Sequence, residues 1–166
     1  MKLLGAAAAA LFATSAAAQS LPNFPQFTGT GWAEFTSANT PGTFVELYIG
    51  GGNAGHASSD CNTPQVTSND TATHTVTLRV YPSNNAGGTL ANPAYTSTVG
   101  ISAQAGSSGT PAQPLFTSSL NSFPLDKNGN PYIRLMKGDQ LQVTFATAVT
   151  GGDVLGVGIS CSDYLQ

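Results

Sequence analysis

Tyr132-Ile133-Arg134-Leu135-Met136, Lys137-Gly138-Asp139 and Gln140-Leu141-Gln142-Val143-Thr144-Phe145 open the stretch that decides the fold. It continues through Thr150-Gly151-Gly152-Asp153 into Val154-Leu155-Gly156-Val157-Gly158-Ile159-Ser160-Cys161. Leu141, Val143 and Phe145 alternate with Gln142 and Thr144, and Leu155, Val157 and Ile159 alternate with Gly156, Gly158 and Ser160. A period of two sends each set to one face of a strand, and the Gly-Asp pairs supply the positive φ of tight turns. The stretch reads as an antiparallel meander with one buried and one wet face. It specifies a fold class and no reaction.

The N-terminus has a different character. Met1-Lys2, the apolar run Leu3 to Phe12 and Ala16-Ala17-Ala18 before Gln19 have the layout of a short secretory signal over 1–18. The run is too short and too Ala-rich for a membrane anchor, which needs about 20 strongly apolar residues. The remaining chain is long enough for one domain with a core of its own. Only 8% of residues are charged and the formal net charge is −3, with no basic cluster, which argues against nucleic acid as a partner. Two cysteines, Cys61 and Cys161, lie in the exported part. An even count in an oxidising compartment predicts a disulfide. Cys161 shares the parity of Leu155, Val157 and Ile159 and is expected to point inward.

Between signal and meander the chain alternates strands with turns. Residues 19–30 carry Pro22 and Pro25 and no alternation, and read as an irregular arm with Phe24 and Phe27 able to pack on a neighbour. The domain proper is expected over 31–166, beginning with a short strand at Gly31–Phe35. Phe44–Ile49 is a strand with Val45, Leu47 and Ile49 on one face. Gly50–Asp70 reads as a long loop containing Cys61, Thr73–Tyr81 as a strand with Val76, Leu78 and Val80 inward, and Tyr95–Ile101 as a weaker strand. Leu115–Leu120 is a further candidate, and Asp126–Asn130 is a turn. After the signal no segment has amphipathic helical spacing. About eight strands in one domain predict an all-β, antiparallel two-sheet sandwich, jelly-roll-like.

Candidate chemistry is sparse. His56 and His74 are the two histidines, and a metal site would need Asp60 beside His56; loop and strand-end histidines without a common partner are the favoured reading. No Gly-x-Ser-x-Gly elbow occurs. Asp126, Asn128 and Asn130 hold alternate positions as calcium ligands do, but no acidic residue closes the loop at Lys137, and a hairpin on Asn128-Gly129 is favoured. Glu34 and Glu46 would be a carboxylate pair only if their strands met. No cofactor or metal is expected. Aromatics are the better lead: Trp32, Tyr48, Tyr81, Tyr95, Tyr132 and Tyr164 can stack on sugars or pack at interfaces. Phe24, Phe27, Trp32 and Tyr48 are the candidate interface residues.

The order of Phe44–Ile49, Thr75–Tyr81 (Thr-Val-Thr-Leu-Arg-Val-Tyr), Lys137-Gly138-Asp139-Gln140-Leu141-Gln142-Val143 and a Gly/Val closing strand resembles small β-sandwich accessory and decoration modules of phage tails and virions. The resemblance covers residues 44–160 and implies surface decoration or attachment. The signal and the cysteine pair depart from it and point to a bacterially exported protein. Three readings compete. First is a non-enzymatic secreted, periplasmic or cell-surface structural subunit that associates with itself or a larger surface assembly. Second is a carbohydrate- or ligand-binding module, with glycans as partners. A small secreted enzyme comes last, because no catalytic constellation is visible.

Overall fold

The computed structural model describes residues 27–51, 56–83, 92–116 and 124–165. The signal over 1–18 and the arm as far as residue 26, with Phe24, lie outside them. The described residues form ten strands: β1 (Phe27–Phe35), β2 (Val45–Ile49), β3 (His56–Asn62), β4 (Gln65–Ser68) and β5 (His74–Tyr81), then β6 (Tyr95–Ile101), β7 (Gln113–Pro114), β8 (Tyr132–Met136), β9 (Gln140–Phe145) and β10 (Leu155–Leu165). All pairings are antiparallel. One sheet has the order β7-β4-β10-β3-β8, with β1 on the other side of β10; the second has the order β2-β9-β5-β6.

β3 and β4 follow one another along a single edge of β10, and β8 and β7 lie beside β3 and β4 in turn. Each couple therefore fills one strand position of the sandwich. With eight positions counted in chain order, one sheet reads 1-8-3-6 and the other 2-7-4-5. That is the double Greek key of a jelly roll, as the strand count and patterning predict.

The topology corrects the meander. β8, β9 and β10 are consecutive, yet β8 pairs with β3, β9 sits in the other sheet and β10 returns to the first. The Lys137-Gly138-Asp139 turn is a corner between sheets. Gly138 has φ 85°, as a tight hairpin would also require, so the residue type does not distinguish the two. Its backbone is held by Gly138 N–H donating to Gly50 O and Lys137 N–H to Ala57 O.

Other boundaries move as well. β3 and β4 occupy the segment expected to be a loop. The His-Ala-Ser-Ser-Asp-Cys-Asn sequence of β3 hides a strand because only Ser59 and Cys61 face the core. β1 begins at Phe27 and not at Gly31, so the irregular arm ends earlier than expected; Phe27 to Thr30 pair with Asp163 to Ser160. Of Val45, Leu47 and Ile49, only Leu47 is buried. β2 is an edge strand, and a register slip between Glu46 and Tyr48 breaks its parity. β7 and the buried bend at Leu115 and Phe116 stand at the start of the candidate strand over 115–120; residues 117–120 lie outside the described ones.

The core forms where the two inner faces meet. Cross-strand pairs Val76–Phe145, Leu78–Val143 and Val80–Leu141 line one sheet. Leu155, Val157, Ile159, Ile133 and Leu135 line the other. Phe35 and Phe145 join the layers, with ring centroids 4.7 Å apart. Each such side chain contributes about 1.5–3 kcal/mol on burial. The predicted disulfide is present: Cys61 and Cys161 are direct cross-strand neighbours on β3 and β10, both buried. It closes a sequence separation of 100 residues, for which the chain-entropy description gives about 4–5 kcal/mol. At the β1–β2 side the sheets nearly touch. A Cβ on Gly31 would collide with the Leu47 carbonyl oxygen, and one on Gly29 with the Tyr48 hydroxyl.

Two pairs of variants check this account by urea unfolding. Val143→Asp places an unpaired charge at a fully buried site and should cost several kcal/mol, whereas Gln142→Asp, half-buried on the opposite face, should cost under about 1 kcal/mol. Gly31→Ala must push β1 from β2 and should cost about 1–3 kcal/mol. Gly100→Ala, on β6 with nothing within 4 Å of the added methyl, should be neutral or stabilise by up to about 1 kcal/mol.

Candidate functional surface

The cross-strand register sorts the outward side chains of the β1–β10 sheet into rows. One row runs Trp32, Gly158, Gln65; another runs Ser162, Asp60, Arg134; a third runs Tyr164, Ser58, Met136. Asn62 pairs with Tyr132. The face is therefore polar and aromatic, with small residues down its centre.

Near the β1 edge, Trp32 is 58% exposed. Its indole lies over β10: a Cβ on Gly158 would come within 2.9 Å of Cε3, and one on Gly156 would meet Cζ2. The two glycines make a flat shelf, so one ring face rests on backbone and the other faces solvent. Any side chain at either position would lift the ring off the sheet.

At the β8 side, Arg134 Nε donates to Asp60 Oδ1 and Nη2 to Asp60 Oδ2, both at 2.7 Å. This fork-to-fork pair is the strongest common geometry for the two groups. The Asp60 hydrogen bonds hold the Arg134 pKa above its ordinary value. The guanidinium also lies 5.6 Å from the Tyr132 ring centroid. Burial, and then the charge of Asp60, push the Tyr164 hydroxyl up. Asp60, Asn62, Tyr132, Ser162 and Tyr164 line a trough of about 370 Å³, whose wall is the loop carrying Leu125, Asp126 and Lys127. A second hollow of about 320 Å³ shares Asn62 and Asp126 with it.

That wall is a closed turn. Leu125 bridges Pro131, and Asp126 Oδ1 accepts from the backbone N–H of Asn128 and Asn130, each at 2.8 Å. Asp126 Oδ2 accepts from the Asn130 side chain at 3.1 Å. The backbone and side chain of Asn130 hold the Asp126 carboxyl below the usual carboxylate range. The alternate Asp/Asn spacing thus builds a turn around one carboxylate.

Beneath the surface are two buried polar networks. Asp70 accepts from Thr150 N–H at 2.7 Å, Ala72 N–H at 2.9 Å, the Thr150 hydroxyl at 2.9 Å and His74 Nε2 at 3.0 Å. The backbone N–H groups of Thr150 and Ala72 hold its carboxyl well below the usual range, against the opposing effect of burial. The other His74 nitrogen, Nδ1, lies 3.2 Å from Thr147 O, so acceptors face both ring nitrogens. At the opposite end, Asp163 on β10 accepts from Tyr48 Oη at 2.8 Å and Ser59 Oγ at 2.6 Å, and Ser59 Oγ accepts from Gly51 N–H. Burial, followed by Asp163, pushes the Tyr48 hydroxyl up to about 12.

Tyr48 is therefore half-buried, tying β2 to β10, while Trp32 stands open on the outer face. The Phe27 backbone belongs to β1. Glu34 and Glu46 are exposed on opposite sheets, paired across strands with Gly156 and Gln142. His56 and His74 lie apart, on β3 and β5, and Asp60 faces Arg134. Among the described residues no group of three or more His, Cys, Asp or Glu is placed to hold a metal ion. Tyr81 stays near Arg79, whose Nη1 donates to its hydroxyl at 3.4 Å, and Tyr95 packs half-buried against the core. The Arg134–Asp60 pair leaves one sequence signal, two opposite charges at equivalent parity on strands 74 residues apart.

No family model matches the chain, and no curated protein matches it. A solved structure of Bacillus endospore appendages, which form a family of disulfide-linked pili, overlaps with a TM-score of 0.39 at 11% identity, covering 84% of this chain and 88% of that one. The match is to an appendage protein and not to a phage decoration module. A TM-score of that size does not establish a shared topology.

The Asp70 network gives a pH prediction. A depressed carboxylate pKa stabilises the fold fully above its unfolded value of about 3.9, and that contribution is lost as pH falls toward the folded value. Thermal melts between pH 6 and 2 should show stability falling below about pH 4, with a smaller fall in Asp70→Asn. At pH 7 the same variant should lose about 3–5 kcal/mol, because buried donors are left facing an amide.

Proposed function

We propose that this chain is an exported, non-enzymatic structural subunit that acts by associating with itself or with a larger surface assembly. The observation that carries the reading is the state of β1. It is nine residues long and, among the described residues, pairs with β10 alone. Edge strands of soluble proteins are usually blunted by Pro, Lys, a bulge or short length. From Phe27 to Phe35 there is neither Pro nor Lys, the pairing with β10 is unbroken, and Glu34 is the one charged residue. Trp32 stands exposed beside this edge, and Val45 and Ile49 are 38% and 37% exposed on β2, the edge strand of the other sheet. Aromatic anchors next to unpaired backbone are what strand addition or side-by-side packing uses.

Sparse charge supports the same reading, since little repulsion opposes packing. The disulfide is compatible with a secreted, periplasmic or cell-surface location. The non-enzymatic part is supported by the occupied state of the obvious candidates: Asp70 and His74 are buried against each other, and Glu34 and Glu46 face outward on opposite sheets. Decoration or attachment to a larger surface is the specific role proposed. Residues 19–26, which lead directly into the open edge and carry Phe24, are proposed to add to the contact between copies.

Light scattering and electron microscopy of the exported chain test this. The unmodified protein should form particles or filaments as concentration rises. Thr30→Lys, an exposed change on β1, should shift it toward monomer without altering the melting temperature, Trp32→Ala should do so with at most a small loss of stability, and deletion of residues 19–26 should weaken assembly. A protein that stays monomeric at millimolar concentration, with the truncation changing nothing, sinks the self-association reading.

A further inference from the structure

We propose that the trough between Tyr132, Tyr164 and the Asp126 turn is a binding site for a neutral saccharide. The inference does not rest on self-association: the trough lies on the outer face of the sheet over β8, β3 and the C-terminal end of β10, whereas the free backbone groups of β1 point sideways in the plane of the sheet.

Size, charge and preorganisation each narrow the ligand. The two adjoining hollows, about 370 and 320 Å³, lie in the range of small-molecule sites, and Asn62 and Asp126 belong to both. Charge is internally balanced. Asp60 is bound by the Arg134 fork, and three donors from Asn128 and Asn130 surround the Asp126 carboxylate. Asp60 is offset by Arg134 and Asp126 by the neighbouring Lys127, so the formal charge of the site is zero, which favours neither a cationic nor an anionic ligand. A neutral ligand with many hydroxyls suits such a lining. The Asp60 and Asp126 carboxylates keep unused lone pairs on oxygens that already accept one or two hydrogen bonds, the Asn62 amide both donates and accepts, and Ser162 adds a hydroxyl.

The apolar component is aromatic: Tyr132 and Tyr164 are both half-buried and both line the trough. Tyrosine rings give flat apolar contact at low entropic cost, suited to the C–H face of a pyranose. Apart from the two rings, Leu125 is the only large apolar side chain in the lining, so the trough lacks the deep pocket that a peptide's hydrophobic anchor would need. The parts are also held before any ligand arrives. Arg134 is fixed by Asp60 and lies against Tyr132, and the Asp126 turn is closed by its own hydrogen bonds, so little ordering remains to be done on binding.

The test is a microarray of neutral gluco-, galacto-, manno- and N-acetylglucosamine oligosaccharides probed with the full exported chain, followed by calorimetry on the best binder. Binding to at least one class is expected, in the micromolar to millimolar range. Tyr132→Ala should weaken it at least about tenfold, and the exposed Asn62→Ala, which leaves both rings in place, several-fold. Tyr132→Phe should retain most of it. Trp32→Ala should leave the per-site affinity measured by calorimetry unchanged, which separates this site from the β1 edge. Absence of binding to every glycan overturns the proposal. So does binding that survives both Tyr132→Ala and Asn62→Ala, a per-site affinity lost in calorimetry with Trp32→Ala, or capture of extended peptides in place of glycans.

Discussion

β10 is hydrogen-bonded along both edges: β1 runs beside it from Phe35 back to Phe27, while β4 and β3 follow one another along its other side. An eleven-residue strand with neighbours on both sides has no freedom of register, since a slip of one residue would turn its whole inner face outward. Leu155, Val157, Ile159, Cys161 and Asp163 are consequently buried as one set. The same parity brings Cys161 opposite Cys61 and Asp163 opposite Ser59. It also puts Gly156 and Gly158 on the outer face, where their lack of a side chain makes the shelf on which Trp32 lies. Core, disulfide, inter-sheet hydrogen bonds and exposed indole all follow from one constraint.

The sequence shows the strands whose two faces differ most. β5, β9 and β10 bury Val, Leu, Ile or Phe at every second position against Thr, Gln, Ser or Gly, and their reading agrees with the fold. β3 escaped because the residues it buries are Ser59 and Cys61, small enough to look like loop. β2 was read with a parity that its register slip destroys. The meander failed for a different reason. A hairpin within a sheet and a corner between sheets both need a residue at positive φ, and Gly138 and Gly152 satisfy either. Local chemistry identifies the turn, whereas the choice between sheets depends on which partner offers a matching apolar face. The jelly-roll order therefore followed from strand count and patterning and not from tracing neighbours.

The candidate surface was legible in its residue types and not in its geometry. Trp32, Tyr132 and Tyr164 stood out as aromatics on polar-leaning faces. Tyr48 belonged to the same group, yet the close approach of β2 to β1, permitted by Gly29 and Gly31, carries its hydroxyl to Asp163. Along the chain, the nearest chemical partner of Asp60 is His56, four residues away. Its actual partner, Arg134, is 74 residues distant, and the meeting depends on the β3–β8 register. Pairwise chemistry between distant strands leaves no periodic trace, which is why the trough could not be read along the chain.

The two surfaces are compatible because they face different directions. Backbone groups at the β1 edge point sideways in the plane of the sheet, so a partner strand added there extends the sheet without covering its face. The trough opens perpendicular to that plane over β10, β3 and β8, where the Asp126 turn walls it. Trp32 sits between these geometries, on the outer face but next to the edge. A neighbour reaching over the edge would cover the indole first and Tyr132, on β8, last. An assembly built through β1 would therefore leave its troughs exposed along one side, repeated at the spacing of the subunits. Sites that are individually weak gain avidity from such repetition without any new contact. In the proposed assembly the open edge would set the repeat and the preorganised trough would be presented by it.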